Sequence, residues 1–299
     1  MKKLGMNISQ LNLWILAIRP RTLPASVAPV IVGTAMAISD KGFKPTVALA
    51  ALAGALLLQI GANLANDYFD YIKGIDTADR LGPVRVMQGG LISAKHLRTG
   101  IIIVFIFTAM VGLYLISVGG WIILFIGLIS ILAGLAYSGG PHPLASHGLG
   151  DVFVFTFFGF VAVCGTYYAQ TLHLTILTVL MSIPVGMLVT SILVVNNLRD
   201  IITDKKAGKY TLAVMIGKRW TKVEYLTLLV SAYTIPVIFC FSKMLSGWVV
   251  LFPIVSLPMA IYLIYDVQHG TGAALNQTLA GTAKLSLVFS LLLSIGLII

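Results

Sequence analysis

The chain has 299 residues, of which 58% are hydrophobic and only 10% are charged, and its formal net charge is +10. Soluble globular domains carry about 25% charged residues, so this composition excludes an ordinary water-soluble protein and indicates a polytopic membrane protein. The basic residues lie scattered between apolar runs, which is typical of membrane orientation rather than of nucleic-acid binding. We therefore predict that the chain is surrounded by a lipid bilayer and binds no nucleic acid.

The apolar runs predict an all-α bundle of about nine transmembrane helices, which together form a single integral-membrane domain over residues 1–299. Residues 1–21 form an N-terminal interfacial segment in which Trp14 is a candidate headgroup-level anchor. The bundle proper covers residues 22–299, because about 20 apolar residues cross a bilayer. Its spans are predicted at 22–39, at 45–66, twice within 99–150 with a break at Gly119-Gly120, twice within 152–198, and at 225–242, 244–265 and 279–299.

The distribution of Lys and Arg predicts the orientation of the bundle. All of them fall in the segments on the side of the N-terminus, except Lys41, Lys44, Lys243 and Lys284. Because basic loops stay in the cytoplasm, the N-terminus is predicted inside and the C-terminus outside. Every acidic residue except Asp40 also falls at the inside ends of the spans. We therefore expect the polar chemistry at the cytoplasmic face of the cell (inner or plasma) membrane.

A first acidic motif covers residues 66–90, NDYFDYIKGIDTADRLGPVRVMQGG, directly after the second apolar run. It holds Asp67, Asp70, Asp76 and Asp79, four of the ten acidic residues of the chain. A lone Asp at such a place is most simply a solvated helix cap. A cluster of carboxylates at the end of a membrane helix is costly to desolvate and indicates a functional site.

A second acidic motif covers residues 194–219, VVNNLRDIITDKKAGKYTLAVMIGKR, at the end of the sixth predicted span. Asn196, Asp200 and Asp204 are spaced four residues apart, so a helix places them on one face. Asn66 and Asp70 repeat the first step of that spacing. Both motifs are predicted at the same membrane face.

If the bundle brings the two motifs together, their carboxylates repel one another in a partly desolvated cavity, and a divalent cation relieves the repulsion. Hard oxygen ligands without organised His or Cys favour Mg²⁺, which binds one or two carboxylates plus phosphate oxygens of a substrate. The candidate metal-site residues are Asn66, Asp67, Asp70, Asp76, Asn196, Asp200 and Asp204. Among these, we expect Asp70, Asp76, Asp200 and Asp204 to be catalytic.

Basic residues accompany both motifs. Arg and Lys side chains bind diphosphate oxygens directly, although membrane topology alone is an alternative explanation for each of them. Lys73, Arg80 and Arg85 follow the first acidic cluster, and Arg199, Lys205 and Lys209 surround the second.

Paired acidic motifs in a nine-helix protein resemble the UbiA superfamily of intramembrane prenyltransferases. The two motifs and the segment AYSGGPHPLASHGLGDVFVFTFFGFVAVCGTYY resemble its menaquinone (MenA) branch, and the N-terminal WILAIRPRTLPASVAPVIVG is similar too. Three separated segments match in order, so the resemblance covers most of the chain. In the wider superfamily the first motif is Asn-xxx-Asp-xxx-Asp, whereas here five residues separate Asp70 from Asp76. A helix break at Gly74 would return Asp76 to the site; the spacing leaves open whether Asp67, Asp76 or Asp79 completes the first metal shell.

The resemblance implies transfer of a polyprenyl group from its diphosphate to an aromatic acid, 1,4-dihydroxy-2-naphthoate, with Mg²⁺ as cofactor. Diphosphate and CO₂ would be lost, and demethylmenaquinone would form. Tyr137 and Ser138 belong to a loop that approaches the diphosphate in the superfamily. The candidates for contact with the acceptor or the carbocation are Arg19, Arg21, Tyr68, Tyr71 and His142. Arg19 and Arg21 are equally well explained as membrane-surface anchors, and each Tyr as a packing residue.

Two alternatives stay open. The acceptor could be another aromatic head group, such as 4-hydroxybenzoate or homogentisate. A cation-coupled transporter also places acids inside a membrane, but its sites usually lie near the midplane, whereas these motifs lie at one face beside basic residues. The sequence sets neither the prenyl chain length nor the oligomeric state.

Overall fold

Helices account for nearly all regular structure in the computed structural model, which describes residues 9–75 and 81–299. No β-strand occurs within these ranges, and the predicted all-α class is confirmed. The helices are α1 (Gln10–Ile18), α2 (Pro24–Ser39), α3 (Pro45–Ile72), α4 (Ala94–Ala136), α5 (Gly150–Val154), α6 (Ala162–Thr171), α7 (Ile176–Lys206), α8 (Leu212–Phe241), α9 (Trp248–Ile254), α10 (Leu257–His269) and α11 (Leu275–Ile298). A π-helical turn, Phe155–Val161, joins α5 to α6.

By length and composition, six helical stretches of the described chain can cross a membrane, or up to eight if each of two bent pairs is one span. The bent pairs are α1 with α2 and α9 with α10, each bent by 53°. This architecture belongs to a multi-pass membrane protein.

The 43-residue helix α4 contains a break at Gly120, whose φ of 68° and ψ of −159° are not helical. Near this break Ile123 belongs to one apolar cluster with Val47, at the start of α3. Towards the two ends of α4, however, Leu97 and Leu135 pack in one cluster with Leu64, near the end of α3. The chain therefore reverses direction at Gly120.

Gly119-Gly120 is where the sequence analysis placed the break between two spans. Counting α4 as two spans, and each bent pair as one, agrees with the nine predicted spans. The number of membrane crossings, their N-in/C-out orientation, the interfacial position of residues 1–21 and the single-domain boundaries at 1–299 stay predictions.

Helix α7 lies at the centre of the bundle. Its residues Met181, Val185 and Leu188 are buried in the largest apolar cluster, together with residues of α2, α6, α8 and α11. Asn196, Asp200 and Asp204 of the second acidic motif therefore lie on the most buried of the candidate membrane spans in the described chain, which fixes the position of their side chains.

The connections at one end of the bundle contact one another. Tyr210, between α7 and α8, donates its backbone N–H to Ser146 O, between α4 and α5, at 3.2 Å. Lys73, after α3, donates to Ser138 O and Gly140 O. At the other end, Asp40 Oδ2 accepts a hydrogen bond from the hydroxyl of Tyr167 in α6 at 2.7 Å and lies 2.9 Å from His173 Nε2. Both acidic motifs lie at the first of these ends.

Several predicted boundaries differ from the observed ones. Helix α3 continues beyond residue 66 through Ile72, and α8 begins at Leu212, not at 225, with a non-helical residue at Gly217. The predicted span 244–265 consists of two helices, α9 and α10. The prediction took each charge-free run as one span. It therefore ended these helices too early, because their ends carry polar and charged residues.

We predict that Gly33→Ala lowers the stability of the protein. A methyl group at Gly33 of α2 would lie 2.5 Å from Val163 O and 2.9 Å from Thr166 Cβ of α6, so the two helices would have to separate. Overpacking of this kind costs about 1–3 kcal/mol. Thermal unfolding in detergent measures the change. The matched control is Gly112→Ala in α4, where nothing lies within 4 Å of the added methyl; equal melting temperatures of the two variants would contradict the prediction.

Candidate functional site

A large cavity of about 1070 Å³ runs through the bundle from the end that carries the acidic motifs. Asn66 of the first acidic motif and Asn196 of the second both line it. Ala51, 15 positions before Asn66 on α3, lines it as well, so at 1.5 Å per residue the cavity is about 22 Å deep. Most of its wall is apolar. The cavity thus has a polar end, formed by both motifs, and an apolar body.

The carboxylates of the first motif are buried and face Arg85. Asp67 is 1% exposed and Asp70 is 3% exposed. Arg85 Nη2 lies 3.0 Å from Asp70 Oδ2, and Arg85 Nη1 donates to Asn66 O at 2.9 Å. Asp67 Oδ2 accepts the backbone N–H of Val86 at 3.1 Å. The segment around Arg85 is therefore folded back onto the end of α3.

The polar residues of the second motif converge on Arg199. Its Nε and Nη2 atoms donate to the two carboxylate oxygens of Asp200, at 2.9 and 2.6 Å, and Nη2 also donates to Asn196 Oδ1 at 2.9 Å. Arg199 and Asp200 are 3% and 5% exposed. Asp204 is buried one turn further along the same face. The four-residue spacing predicted that Asn196 and Asp200 share one face of the helix. In the structure, both side chains accept hydrogen bonds from Arg199.

Tyr137, at the end of α4, lies within electrostatic reach of both motifs. Burial raises the pKa of its hydroxyl, and the negative charges of Asp151, Asp70 and Asp204 raise it further. The neutral Tyr137 hydroxyl is therefore a hydrogen-bond donor, not a base, at the pH of the cell. It lines the polar end of the cavity.

Lys73 and Ser138 connect the first motif to the loop after α4. Lys73 Nζ donates to Ser138 O and Gly140 O at 2.8 and 2.9 Å. Burial lowers the pKa of Lys73, and the charge of Asp70 offsets part of that effect. Lys73 therefore holds the loop that carries Tyr137 close to the end of α3.

One buried carboxylate oxygen shows that the site suits a cation. Asp67 lines the cavity, and its Oδ1 atom has no hydrogen-bond partner in the described part of the chain. Such an oxygen is costly to bury, and a cation or its water would satisfy it. No group of three His, Cys, Asp or Glu side chains in residues 9–75 and 81–299 is arranged to hold a metal. Mg²⁺ requires only one or two carboxylates when phosphate oxygens supply other ligands, so the residues present fit it.

The other predicted residues fall into two groups. Arg19, Arg21, Arg85 and Lys209 line the cavity beside the motifs. The second group does not line the part of the cavity that the described residues form: Asp70, Asp200, Asp204, Lys73, Lys205, Ser138, Tyr68, Tyr71 and His142. The predictions for Asp76, Asp79 and Arg80 fall outside the described residues.

The candidates for carbocation or acceptor contact show why single residues are hard to assign from sequence. Tyr68 packs in the apolar cluster that joins α1, α3 and α4. Tyr71 is 46% exposed. The ring of His142 lies 5.5 Å from that of His147, in an exposed part of the loop. The structure therefore brings these three side chains to the surroundings of the site, not to the cavity wall.

The break predicted at Gly74 is present, with a φ of 67° that suits glycine. Helix α3 ends at Ile72, and Ile75 N donates to Asp70 O at 2.9 Å. The chain thus leaves its helical path after Ile72, whereas the return of Asp76 to the site stays a prediction.

Comparison with known proteins identifies the family. The UbiA prenyltransferase family matches residues 26–289. The chain belongs to the UbiA prenyltransferase family. A protein of Escherichia coli (strain K12) named 1,4-dihydroxy-2-naphthoate octaprenyltransferase is 37% identical over 298 residues, 97% of this chain and 96% of that protein. A protein of the same name from Mycobacterium tuberculosis is 37% identical over 279 residues, 93% of this chain and 94% of that protein.

Solved structures of UbiA homologues share the fold. One from Aeropyrum pernix K1, without ligand, has a TM-score of 0.68 at 14% identity and covers 89% of this chain and 94% of its own. Another from Archaeoglobus fulgidus, bound to GPP and Mg²⁺, has a TM-score of 0.65 at 17% identity and covers 96% of this chain and 99% of its own. At these identities the likeness establishes the UbiA fold alone.

Two sets of residues at the UbiA site were missed by the sequence analysis. Phe153 and Phe157 line the cavity with their rings stacked at 4.3 Å, and Phe153 lies 6.3 Å from the Tyr137 ring. Asn276, in the first turn of α11, also lines the cavity. The four-residue spacing of Phe153 and Phe157 could have predicted that they share one face of a helix. Nothing in the sequence around Asn276 indicates a role for this single residue.

We predict that Arg85→Gln destabilises the ligand-free protein by about 3–5 kcal/mol, because Asp70 would keep a buried negative charge without its partner. The double variant Arg85→Gln/Asp70→Asn removes both charges and should recover most of the loss. Thermal unfolding in detergent with EDTA compares the variants. A double variant no more stable than Arg85→Gln alone would show that the ion pair is not the cause.

Proposed function

We propose that this UbiA protein transfers a polyprenyl group from polyprenyl diphosphate to 1,4-dihydroxy-2-naphthoate, with loss of CO₂ and diphosphate. Because 1,4-dihydroxy-2-naphthoate is a hydroquinone and the transfer removes no electrons, the direct product is demethylmenaquinol, the reduced form of demethylmenaquinone, on the route to menaquinone (vitamin K2). The observation that carries the proposal is the convergence of two acidic motifs, with their Arg and Lys residues, at the end of one deep apolar cavity. The relatives named 1,4-dihydroxy-2-naphthoate octaprenyltransferase, which match nearly the whole chain, support the choice of acceptor.

The polar end of the cavity binds the diphosphate. Arg85 and Lys209 line that end and present cationic donors to phosphate oxygens. Asn66, Asp67 and Asn196 present oxygen ligands towards the same space, with Asp70, Asp200, Asp204 and Asp76 as the further carboxylates of the proposed Mg²⁺ site. Bound Mg²⁺ would neutralise the negative charge that develops on the departing diphosphate.

The body of the cavity binds the prenyl chain and protects the allylic cation. When the C–O bond ionises, the cation must be kept from water, and the apolar walls on α3 and α4 exclude it. The faces of Tyr137, Phe153 and Phe157 follow one another from the polar end inward and stabilise a neighbouring positive charge. The neutral Tyr137 hydroxyl also donates a hydrogen bond to the leaving group or the acceptor.

The acceptor carboxylate binds near the end of α1. Arg19 and Arg21 line the cavity there, and Arg19 has the left-handed backbone conformation, with a φ of 57°. This conformation ends α1 at Arg19, whose backbone N–H donates to Leu16 O at 3.3 Å, and it turns the chain into the segment that carries Arg21. Asn63 holds the segment in place by donating to Ile18 O at 2.9 Å and to Thr22 Oγ1 at 3.1 Å.

The proposed location is the cytoplasmic membrane, with the site at its cytoplasmic face. The connections at the motif end carry most of the Lys and Arg residues, which supports this orientation. Both water-soluble groups of the reaction, the diphosphate and the aromatic acid, would then enter from the cytoplasm.

The proposed function is tested by incubating purified protein with isoprenoid diphosphates and a panel of aromatic acids, followed by mass analysis of the products. With 1,4-dihydroxy-2-naphthoate, we expect a product that contains the prenyl group and has lost the carboxylate of the acceptor as CO₂. EDTA should stop the reaction and added Mg²⁺ should restore it. Product from 4-hydroxybenzoate or homogentisate alone would contradict the acceptor, and undiminished turnover after thorough chelation would contradict the metal requirement.

We predict that Asp70→Asn or Asp204→Asn lowers turnover at least about 100-fold, because each removes a charge from the site that stabilises the leaving diphosphate. Initial rates with labelled prenyl diphosphate, in membranes that contain equal amounts of protein, measure the effect. The matched control is Asp40→Asn, which removes a carboxylate at the opposite end of the bundle, where it pairs with His173. Wild-type rates in either site variant would remove these carboxylates from the mechanism.

A further inference from the structure

We propose that Asn276, on the last helix, is a positioning residue that couples the two acidic motifs through a single amide group. The inference deepens the proposed function and rests on it, because it concerns the assembly of the same diphosphate site. Asn276 belongs to neither motif. Its side chain nevertheless contacts a residue of each of them.

The Asn276 amide uses both its acceptor and its donor. Oδ1 accepts a hydrogen bond from Arg199 Nη1 of the second motif at 2.9 Å. Nδ2 donates to the backbone oxygen of Leu81, in the first motif, at 3.0 Å. An amide is one of the few side chains that can satisfy a cation and a carbonyl at once.

On the Arg199 side, the contact fixes the orientation of a buried guanidinium. The remaining bonds of that group go to Asp200 and Asn196. Because a guanidinium is planar and rigid, a partner at Nη1 also sets the direction in which Nε and Nη2 hold the other two side chains. Asn276 thereby acts on Asp200 and Asn196 through Arg199.

On the Leu81 side, the contact fixes the course of the loop. Gly82 lies directly against the guanidinium, so that a methyl group added there would be 2.8 Å from Arg199 Nη2 and 3.0 Å from Cζ. A few residues later, Arg85 and Val86 bind the end of α3. Leu81 immediately follows residues 76–80, which carry Asp76, Asp79 and Arg80 in the sequence.

An ordinary helix cap does not explain these contacts. Helix α11 begins at Leu275, and no side chain caps its N-terminus. The acceptor of Asn276 goes to Arg199 of α7 and its donor to the loop before α4, so both bonds leave α11. The side chain therefore links three parts of the chain that are far apart in sequence.

The inference is tested with Asn276→Ala and Asn276→Asp. Alanine removes both bonds. Aspartate keeps an acceptor for Arg199 but has no donor for Leu81 at neutral pH, so it separates the two halves of the contact. The matched control is Gln277→Ala, which truncates the exposed neighbouring side chain.

The first measurement is hydrogen–deuterium exchange of the ligand-free protein. Both Asn276 variants should speed exchange in the peptide that covers residues 81–92 by about tenfold, the effect expected for one lost hydrogen bond of this kind. Exchange in the α11 peptides should stay as in wild type, whereas a role limited to the stability of α11 would raise exchange there. Unchanged exchange at 81–92 in Asn276→Ala overturns the proposal.

The second measurement is steady-state kinetics. We expect Asn276→Ala to raise KM for the prenyl diphosphate by about tenfold or more, as loss of an outer contact of a metal site does, and to leave KM for the aromatic acid near the wild-type value. Equal rises in both KM values, or wild-type kinetics, overturn the proposal. Wild-type protein without any prenyl transfer would instead refute the proposed function, while the exchange result would still report whether Asn276 holds the loop.

Discussion

Charge compensation of buried carboxylates is the constraint on which the site depends. Asp70 and Asp200 are each nearly inaccessible to water, and each lies against one arginine, Arg85 or Arg199. A buried carboxylate without a partner would be strongly destabilising. Because the two arginines come from different parts of the chain, the loop after α3 and the central helix α7, satisfying these charges also folds the loop back over the site.

The same two arginines explain how the ligand-free protein tolerates several carboxylates buried at one end of the cavity. Each guanidinium occupies carboxylate oxygens that a metal would otherwise share, while Asp67 Oδ1 is left without a hydrogen-bond partner in the described residues. In the proposed reaction, the phosphate oxygens of the substrate would give Arg85 a second anionic partner. The arginines and the acids together are complementary to the ligand that we propose, a diphosphate with its Mg²⁺, because that ligand carries charges of both signs.

Behind this polar end, the helices leave a deep apolar cavity because small residues face it from several sides. Ala51, Gly54 and Ala55 on α3 line the cavity opposite Gly112 on α4 and Gly165 on α6. Residues of this size let the cavity run along α3 for about 22 Å. A charged head group and a long apolar tail therefore fit one continuous site.

Much of this arrangement could be predicted from local sequence. Charge-free runs identify the helices, and Gly119-Gly120 identifies the reversal within α4, because a helix rarely continues through such a pair. The four-residue spacing of Asn196 and Asp200 predicts their shared face. All of these signals depend on residues that are close in sequence.

The contacts between distant segments could not be predicted in the same way. Nothing local indicates that Arg85 returns to Asp70 or that Lys73 binds the loop carbonyls of Ser138 and Gly140. Asn276 lies 77 positions from its partner Arg199. Such pairings depend on how the helices pack against one another. A single sequence shows which residues are small or large, but not which helices are neighbours.

The most direct test of a shared site is a double-mutant cycle on cation affinity. Binding of Mn²⁺, in place of Mg²⁺, would be measured by electron paramagnetic resonance in the presence of prenyl diphosphate, for wild type, Asp70→Asn, Asp200→Asn and the double variant. If both motifs hold one metal–diphosphate unit, the losses of the single variants are not additive, as for residues that share a ligand. Strictly additive losses would show that the two motifs act independently and would contradict a single site.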